Sequence, residues 1–196
     1  MLSELVDATE AVASTSSRLA KVAALAAALR SLDADEIAPA IGFLVAKPRQ
    51  GRIGIGWRSL SSLDVSHASE PTLSVLDVDV ILSELAGAEG PGSVSVRRSA
   101  LERLAATATA REWDFVSRVM LGELRTGALE GVLLDAIAKA SDRPAAAVRR
   151  AAIAALPEAR IDPAGHALAG HAGVTLCYRR CRVPGVWPYA LYCMIH

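Results

Sequence analysis

The chain has 196 residues, of which 52% are hydrophobic and 21% charged, so it can bury a sizeable core and is not expected to be disordered throughout. Aromatic residues make up only 4%. The apolar volume is therefore mostly Ala, Leu and Val, which favours close-packed helices over a β-sandwich. The 21 basic residues balance 21 acidic ones, so attraction to a nucleic acid, a membrane or an acidic substrate must come from local charge.

Neither a membrane span nor a secretion signal is indicated. A span needs about 20 mostly apolar residues, and the longest uncharged run contains histidines and glycines instead. Acidic residues occupy the N-terminal region, where a signal peptide would be basic. All three cysteines fall within the last twenty residues, which suits a reducing compartment. We therefore expect a cytoplasmic protein that does not associate with membranes.

Hydrophobic periodicity predicts an all-α fold built from successive helices. The predicted helices run from residue 17 to about 32, from about 35 to 45, and then over 74–86, 94–107, 109–122, 128–141 and 144–156. In the first of them the predicted buried stripe is Leu19, Val22, Leu25, Ala26 and Leu29. Residues 47–57 are expected to form a turn that enters a short helix, and residues 64–73 to form a linker.

An internal repeat is visible at an offset of 76 residues. It aligns Lys21 with Arg97, Glu36 with Glu112, Leu44 with Met120, and residues 49–53 with residues 125–129. Both copies predict two helices, an Arg-x-Gly turn and a further helix. The sequence therefore predicts a pseudo-twofold helical domain over residues 1–157, followed by an irregular tail over 158–196 in which periodicity is lost.

The first of these turns is locally basic. Between Glu36 and Asp64 there are four basic residues, namely Lys47, Arg49, Arg52 and Arg58, and no acidic one. Glycines at 51, 54 and 56 let the backbone approach a partner, and its amides could bind phosphate. The equivalent second turn carries Arg125 and Gly127. Taken together, the two turns could bind the phosphates of a duplex without reading its sequence; the alternative is a solvated helix hairpin with no ligand.

Two runs resemble a known family. Gly122-Glu123-Leu124-Arg125-Thr126-Gly127-Ala128-Leu129-Glu130-Gly131-Val132 resembles the second-half signature of the N-terminal DNA-binding domain of ATP-dependent DNA ligases of the actinobacterial and archaeal type, and Ile53-Gly54-Ile55-Gly56-Trp57 is similar to its first-half signature. The resemblance extends over about residues 2–155. In one departure, this chain has Ala46-Lys47-Pro48 where the family usually has Gly-Glu-Leu.

The resemblance implies a domain that binds double-stranded, nicked DNA during repair, replication and recombination, in association with the bacterial nucleoid. The DNA contacts implied by position are Lys47, Arg49, Gly51, Arg52, Gly54, Gly56, Arg125 and Gly127, with Gly131, Arg18, Lys21, Arg97 and Arg98 as further candidates. Trp57 and Trp113 are expected to anchor the core rather than to stack on bases.

The chemistry of ligation is not expected in this chain. The family uses ATP and Mg²⁺ at a Lys-x-Asp-Gly motif on a separate domain, where the lysine attacks the α-phosphate. Lys21, Lys47 and Lys139 are the only lysines, and none lies in such a motif. We therefore expect a ligase module truncated before its adenylation domain and inactive alone, with an alternative role as a helical protein-interaction scaffold that does not bind DNA.

The tail carries its own alternatives. His166, His171, Cys177 and Cys181, with Cys193 and His196 beyond them, include the residue types that bind zinc, but their spacing matches no compact zinc module. The sudden change of composition instead favours an out-of-frame reading of this segment. We expect no metal site there.

Overall fold

The computed structural model describes residues 1–51, 53–124, 129–154, 174–179 and 191–195. The chain divides into two compact units, Met1–Ala145 and Ala146–His196. The helices of the first unit are α1 (Leu2–Ser14), α2 (Arg18–Arg30), α3 (Ile37–Leu44), α4 (Trp57–Ser61), α5 (Val75–Gly87), α6 (Ser93–Thr107), α7 (Ala110–Leu121) and α8 (Leu129–Ala140). Helix α9 (Ala145–Ala154) precedes strands β1 (Val174–Arg179) and β2 (Leu191–Ile195). The predicted all-α class is confirmed for the first unit.

The first unit is built around a core of aliphatic residues and two phenylalanines, Phe43 and Phe115. Phe43 of α3, Leu25 of α2, Leu82 of α5 and Leu104 of α6 have no exposed surface. Helix α2 packs along α8 and α1, while α5 packs against α6. Because α2 and α8 lie more than 100 residues apart, their contact joins the beginning of this unit to its end.

Most of the predicted stripe of α2 is buried, with one exception. Val22, Leu25, Ala26 and Leu29 are all buried as predicted. The prediction for Leu19 is wrong, because this residue is 81% exposed. It lies in the first turn of α2, beyond the point at which the neighbouring helices cover that face.

The sequence analysis did not predict α1. This helix buries Leu2, Leu5, Val6 and Val12, and their spacing is that of one helical face. The backbone N–H of Leu2 also donates to the carbonyl of Leu73 at 2.9 Å, which ties the first residues to the segment before α5. The apolar spacing of this segment already shows the helical period.

Helices α3 and α7 end in the same hydrogen-bond pattern, 76 residues apart. Amides of Lys47 and Ala46 donate to the carbonyls of Gly42 and Phe43 at 2.8 and 2.9 Å, and amides of Glu123 and Gly122 donate to those of Arg118 and Val119 at 2.9 and 3.2 Å. This is the Schellman arrangement, which places its C′ residue in the left-handed region. The C′ residues are Ala46, with φ of 50°, and Gly122, with φ of 70°.

The same two helices also begin alike. The buried carboxylate of Glu36 accepts from the backbone N–H of Asp33 at 3.2 Å, and that of Glu112 accepts from the N–H of Thr109 at 2.9 Å. Both pairs are separated by the predicted offset of 76 residues. These matched ends are what the internal repeat predicts, while the twofold relation itself stays a prediction.

The tail differs from its predicted irregular structure. Strands β1 and β2 pair antiparallel, with Val174 opposite Ile195 and Tyr178 opposite Tyr192. Both strands are rich in β-branched and aromatic residues, which favour extended backbone, but each is too short to show a clear period. The boundary predicted after residue 157 falls inside the second unit, since the units divide after Ala145.

Candidate functional site

The loop between α3 and α4, residues 46–56 and named here the glycine loop, lies beside the last turn of α7. Together they line a cleft of about 680 Å³. The residues on its walls are Ala46, Lys47, Pro48, Gly51, Ile53, Gly54, Ile55, Gly56, Val119, Met120, Leu121 and Gly122. No acidic residue is among these described lining residues, whereas exposed Lys47 is. Gly122 leads into the second predicted turn, so the two turns start from one cleft.

The backbone of this loop is open toward solvent. Gly51 and Gly54 have φ of 69° and 73°, a region that residues with a Cβ rarely adopt. Gly56 caps the N-terminus of α4 in an extended conformation, with φ of −113°. A Cβ added at Gly51 or Gly56 would meet no atom within 4 Å. A partner can therefore approach the main chain closely at these positions.

Arg49 holds this loop to α5. Its Nε donates to both carboxylate oxygens of Asp79, at 2.8 and 2.9 Å, and its Nη2 donates to Oδ2. The Asp79 side chain is only 1% exposed, whereas that of Arg49 is 63% exposed. A sequence-predicted phosphate ligand is thus engaged by a buried carboxylate. Asp79 lies 30 residues away, within the helix predicted over 74–86, and no local sequence pattern indicates that the two residues pair.

Gln50 also holds the loop to α5. Its Nε2 donates to Oδ1 of Asp79 at 2.8 Å, to the Asp79 carbonyl at 3.0 Å and to Oγ of Ser83 at 2.8 Å. The hydrogen bonds from Arg49 lower the pKa of Asp79; burial opposes them and Gln50 adds to them. Asp79 is therefore ionised at neutral pH and fixes two successive loop residues.

Arg18 and Lys21 lie on α2 and are not among the described residues that line the cleft. Arg18 Nη2 donates to Asp135 Oδ2 at 2.6 Å and to the carbonyl of Gly131 at 3.2 Å, so this cation connects α2 to α8. Lys21, one turn later, is half-buried. The structure therefore separates these two predicted contacts from the glycine loop.

The two tryptophans differ. Trp57 is 68% exposed at the start of α4, so its predicted role as a core anchor is wrong: the short helix turns this face to solvent. Trp113 packs partly against the core, as predicted, and its ring lies 6.0 Å from that of His67.

Several predicted residues lie outside the described residues. These are Arg52, Arg125 and Gly127 of the two turns, and the candidate zinc ligands His166, His171, Cys181 and His196. Where the structure does describe side chains, no group of three or more His, Cys, Asp or Glu could hold a metal ion. Nor is any helix in the described ranges both long and apolar enough to cross a membrane.

Comparison with known proteins identifies the helical part of the chain. Residues 58–138 match the DNA ligase N terminus family. A probable DNA ligase of Pseudarthrobacter chlorophenolicus is 54% identical over 153 residues, which cover 78% of this chain and 30% of that protein. Probable DNA ligases of Beutenbergia cavernae and Anaeromyxobacter dehalogenans are 42% and 45% identical, over 88% and 87% of this chain and 33% and 34% of their own lengths.

The chain thus spans about a third of the length of these curated relatives. Residues 151–196 match a different family, the AsnC-like ligand binding domain, which the sequence analysis did not consider; the out-of-frame origin of this segment stays a prediction. The predicted resemblance is confirmed for the helices before it. Those helices belong to the family of N-terminal domains of ATP-dependent DNA ligases.

Proposed function

We propose that the helical domain binds duplex DNA by its sugar-phosphate backbone, without sequence preference, as the N-terminal module of an ATP-dependent DNA ligase. The observation that carries this proposal is the cleft shared by the glycine loop and the end of α7. It supplies accessible main chain and a lysine, with no carboxylate among its described lining residues. Such a surface suits phosphates, and phosphate contacts position a protein without reading bases.

The Schellman ends explain how two phosphate-binding turns could arise in one domain. Each turn follows a helix that stops in the same way, so the chain leaves each helix with a similar geometry relative to that helix's own axis. If the segment after Gly122 continues the repeat, the second turn presents amides beside the first. A nick then has protein contacts on both of its sides, in support of repair, replication or recombination.

Arg49 acts in this proposal as a positioning residue. Its pairing with Asp79 orders the glycine loop, so that Lys47 and the main chain around Gly54 and Gly56 are held toward the DNA. The cost of ordering the loop is met on folding rather than on binding, which favours affinity.

Adenylation belongs to the parts of the relatives that this chain does not match. ATP and Mg²⁺ supply the activated phosphate there, but the three lysines of this chain lie in no Lys-x-Asp-Gly sequence. The described residues also offer no cluster of metal ligands. We propose that the contribution of this chain is DNA binding.

A fluorescence anisotropy titration of labelled nicked and intact duplexes tests the proposal. We expect dissociation constants on the order of micromolar at low salt, and a binding constant that falls with ionic strength with a slope of about −0.9 per phosphate contacted. Lys47→Gln should weaken binding a few-fold, whereas Lys139→Gln, which removes the same charge from exposed α8 surface, should not. Absence of duplex binding at low salt would refute the proposal, and a protein partner bound with no salt dependence would support the scaffold alternative.

A further inference from the structure

A second, smaller cavity lies on the other side of the glycine loop, between α4 and α6. Its volume is about 220 Å³, and its polar lining consists of Ser59 of α4, Ser62 directly after that helix, and Arg97 and Arg98 of α6. Gly54 and Ile55 line both this cavity and the larger cleft. The two spaces are therefore separated by the backbone of the loop alone, and a ligand following that backbone would meet both.

Arg97 is the group in this cavity with unused hydrogen-bonding capacity. Its Nη2 donates to the carbonyl of Ala88 at 2.9 Å, which fixes the guanidinium on α6. Its Nε is buried and has no acceptor among the described residues. A buried donor without an acceptor is costly, and here it belongs to a cation that forms no ion pair with a carboxylate among the described residues. An anion in the cavity would neutralise this charge.

Gly54 leaves the space that such an anion needs. A Cβ built on Gly54 would lie 3.7 Å from Nη1 and 3.9 Å from Nη2 of Arg97. The guanidinium therefore faces main chain with no side chain between them. Arginine recognises phosphate through its planar set of N–H donors. The hydroxyl of Ser59 is a further polar group of the lining, while Ser62 Oγ donates to the carbonyl of Ser59 at 3.3 Å.

An arginine that lies beside the first turn of α8 is already neutralised. Arg18 approaches Gly131, where an added Cβ would lie 3.6 Å from Nη2, but its guanidinium is paired with Asp135. Arg98, also in the small cavity, donates from Nε to Glu102 at 2.8 Å. Among these three arginines of the described helices, Arg97 is the one held by a backbone carbonyl instead of a carboxylate.

We propose that the cavity formed by Arg97, Ser59, Ser62 and Gly54, named here the Arg97 pocket, binds one phosphate group of a DNA strand that continues past the glycine loop. This inference rests on the proposed duplex binding and extends it from the cleft to α6. The proposed ligand is a phosphodiester of DNA. Inorganic phosphate would bind to the same groups, so the test must distinguish these two ligands.

Arg97→Gln tests the pocket, with Arg103→Gln as the matched control. Arg103 is on the same helix and its loss removes the same charge, but it pairs with Glu84 and does not line the pocket. We expect Arg97→Gln to weaken duplex binding about five- to tenfold and to reduce the salt slope by about 0.9, the contribution of one phosphate. Arg103→Gln should change affinity less than about twofold. Equal small effects of both variants, with wild-type binding intact, would overturn the pocket and leave the proposed function standing.

Two further measurements complete the test. Absence of duplex binding by the wild type at low salt would defeat the proposed function and the pocket together. If inorganic phosphate raises the unfolding midpoint of the wild type but not of Arg97→Gln, while both bind DNA equally, the pocket holds free phosphate and the DNA assignment is wrong. If Arg97→Gln does not fold, Arg97→Lys decides instead: weaker DNA binding than wild type supports the pocket, and unchanged binding overturns it.

Discussion

Replacing Arg49 with alanine should destabilise the helical domain and loosen its glycine loop. The substitution leaves the Asp79 carboxylate, 1% exposed, with Gln50 Nε2 as its remaining side-chain donor at 2.8 Å. Removing one partner of a buried ion pair costs about 3–5 kcal/mol. Since Arg49 is 63% exposed and Gln50 still donates to Asp79, we expect a cost at or below the lower end of that range, about 2–3 kcal/mol. Thermal unfolding should report a melting temperature lower by about 5–10 °C.

The partner variant separates anchoring from direct DNA contact. Asp79→Ala should cost less than Arg49→Ala, about 1–2 kcal/mol, because the released guanidinium regains water whereas a stranded carboxylate does not. If Arg49 chiefly orders the loop, both variants weaken DNA binding. If Arg49 is instead a phosphate ligand restrained by Asp79, then Asp79→Ala frees a cation and strengthens binding. Stronger binding by Asp79→Ala, or a loss of stability below about 0.5 kcal/mol in Arg49→Ala, would refute the anchoring role.

Three further predictions concern the same region. Gly56→Ala should change stability by less than about 1 kcal/mol but weaken duplex binding several-fold in anisotropy titrations, whereas Gly87→Ala, equally open to solvent, should leave binding unchanged; equal affinities would place Gly56 away from DNA. Ala46→Gly should raise the unfolding free energy by about 0.5–1 kcal/mol, because Ala46 has φ of 50° and glycine relieves that left-handed conformation; a loss of stability in urea titration would contradict this. The folded-state pKa of Asp79 is depressed below its ordinary value of 3.8. The ionised carboxylate therefore stabilises the fold at pH values above 3.8, and this stabilisation is lost as the pH falls toward the folded-state pKa. The difference in unfolding free energy between wild type and Asp79→Asn should shrink over that acidic range, and a constant difference would show that the carboxylate charge is not what stabilises the loop.

The helices were largely predictable because each carries its own local period. Helix α5 illustrates this: Ser74 caps it and Asp77 returns the capping box, and both lie within four residues of its start. The misassigned side chains reflect tertiary cover, which periodicity does not contain. Leu19 continues the apolar stripe of α2, yet no described neighbouring helix covers it. Trp57, on the short α4, is left exposed in the same way.

The site was predictable only in part, and for a different reason. Glycines and bases at 47–56 identify the loop by composition, and the structure places Lys47, Gly51, Gly54 and Gly56 in one cleft with Gly122. The partners that decide what each cation does are distant in sequence: Asp79 for Arg49 and Asp135 for Arg18. Charge patterning counts such cations as available, whereas the fold uses both to connect helices. Arg97 shows the converse, since its missing acceptor is visible only once α6 has been placed against Gly54.

The packing of α2 along α8 joins the beginning of the helical domain to its end. Cleavage in the stretch around Gly90–Gly92 would therefore leave α2 and α8 on separate fragments, each with an apolar face uncovered. Neither fragment should be stable by itself, but the two should reassociate when mixed, and a duplex spanning both turns would favour their reassembly. Each half of the domain is therefore stably folded only when α2 and α8 are in contact.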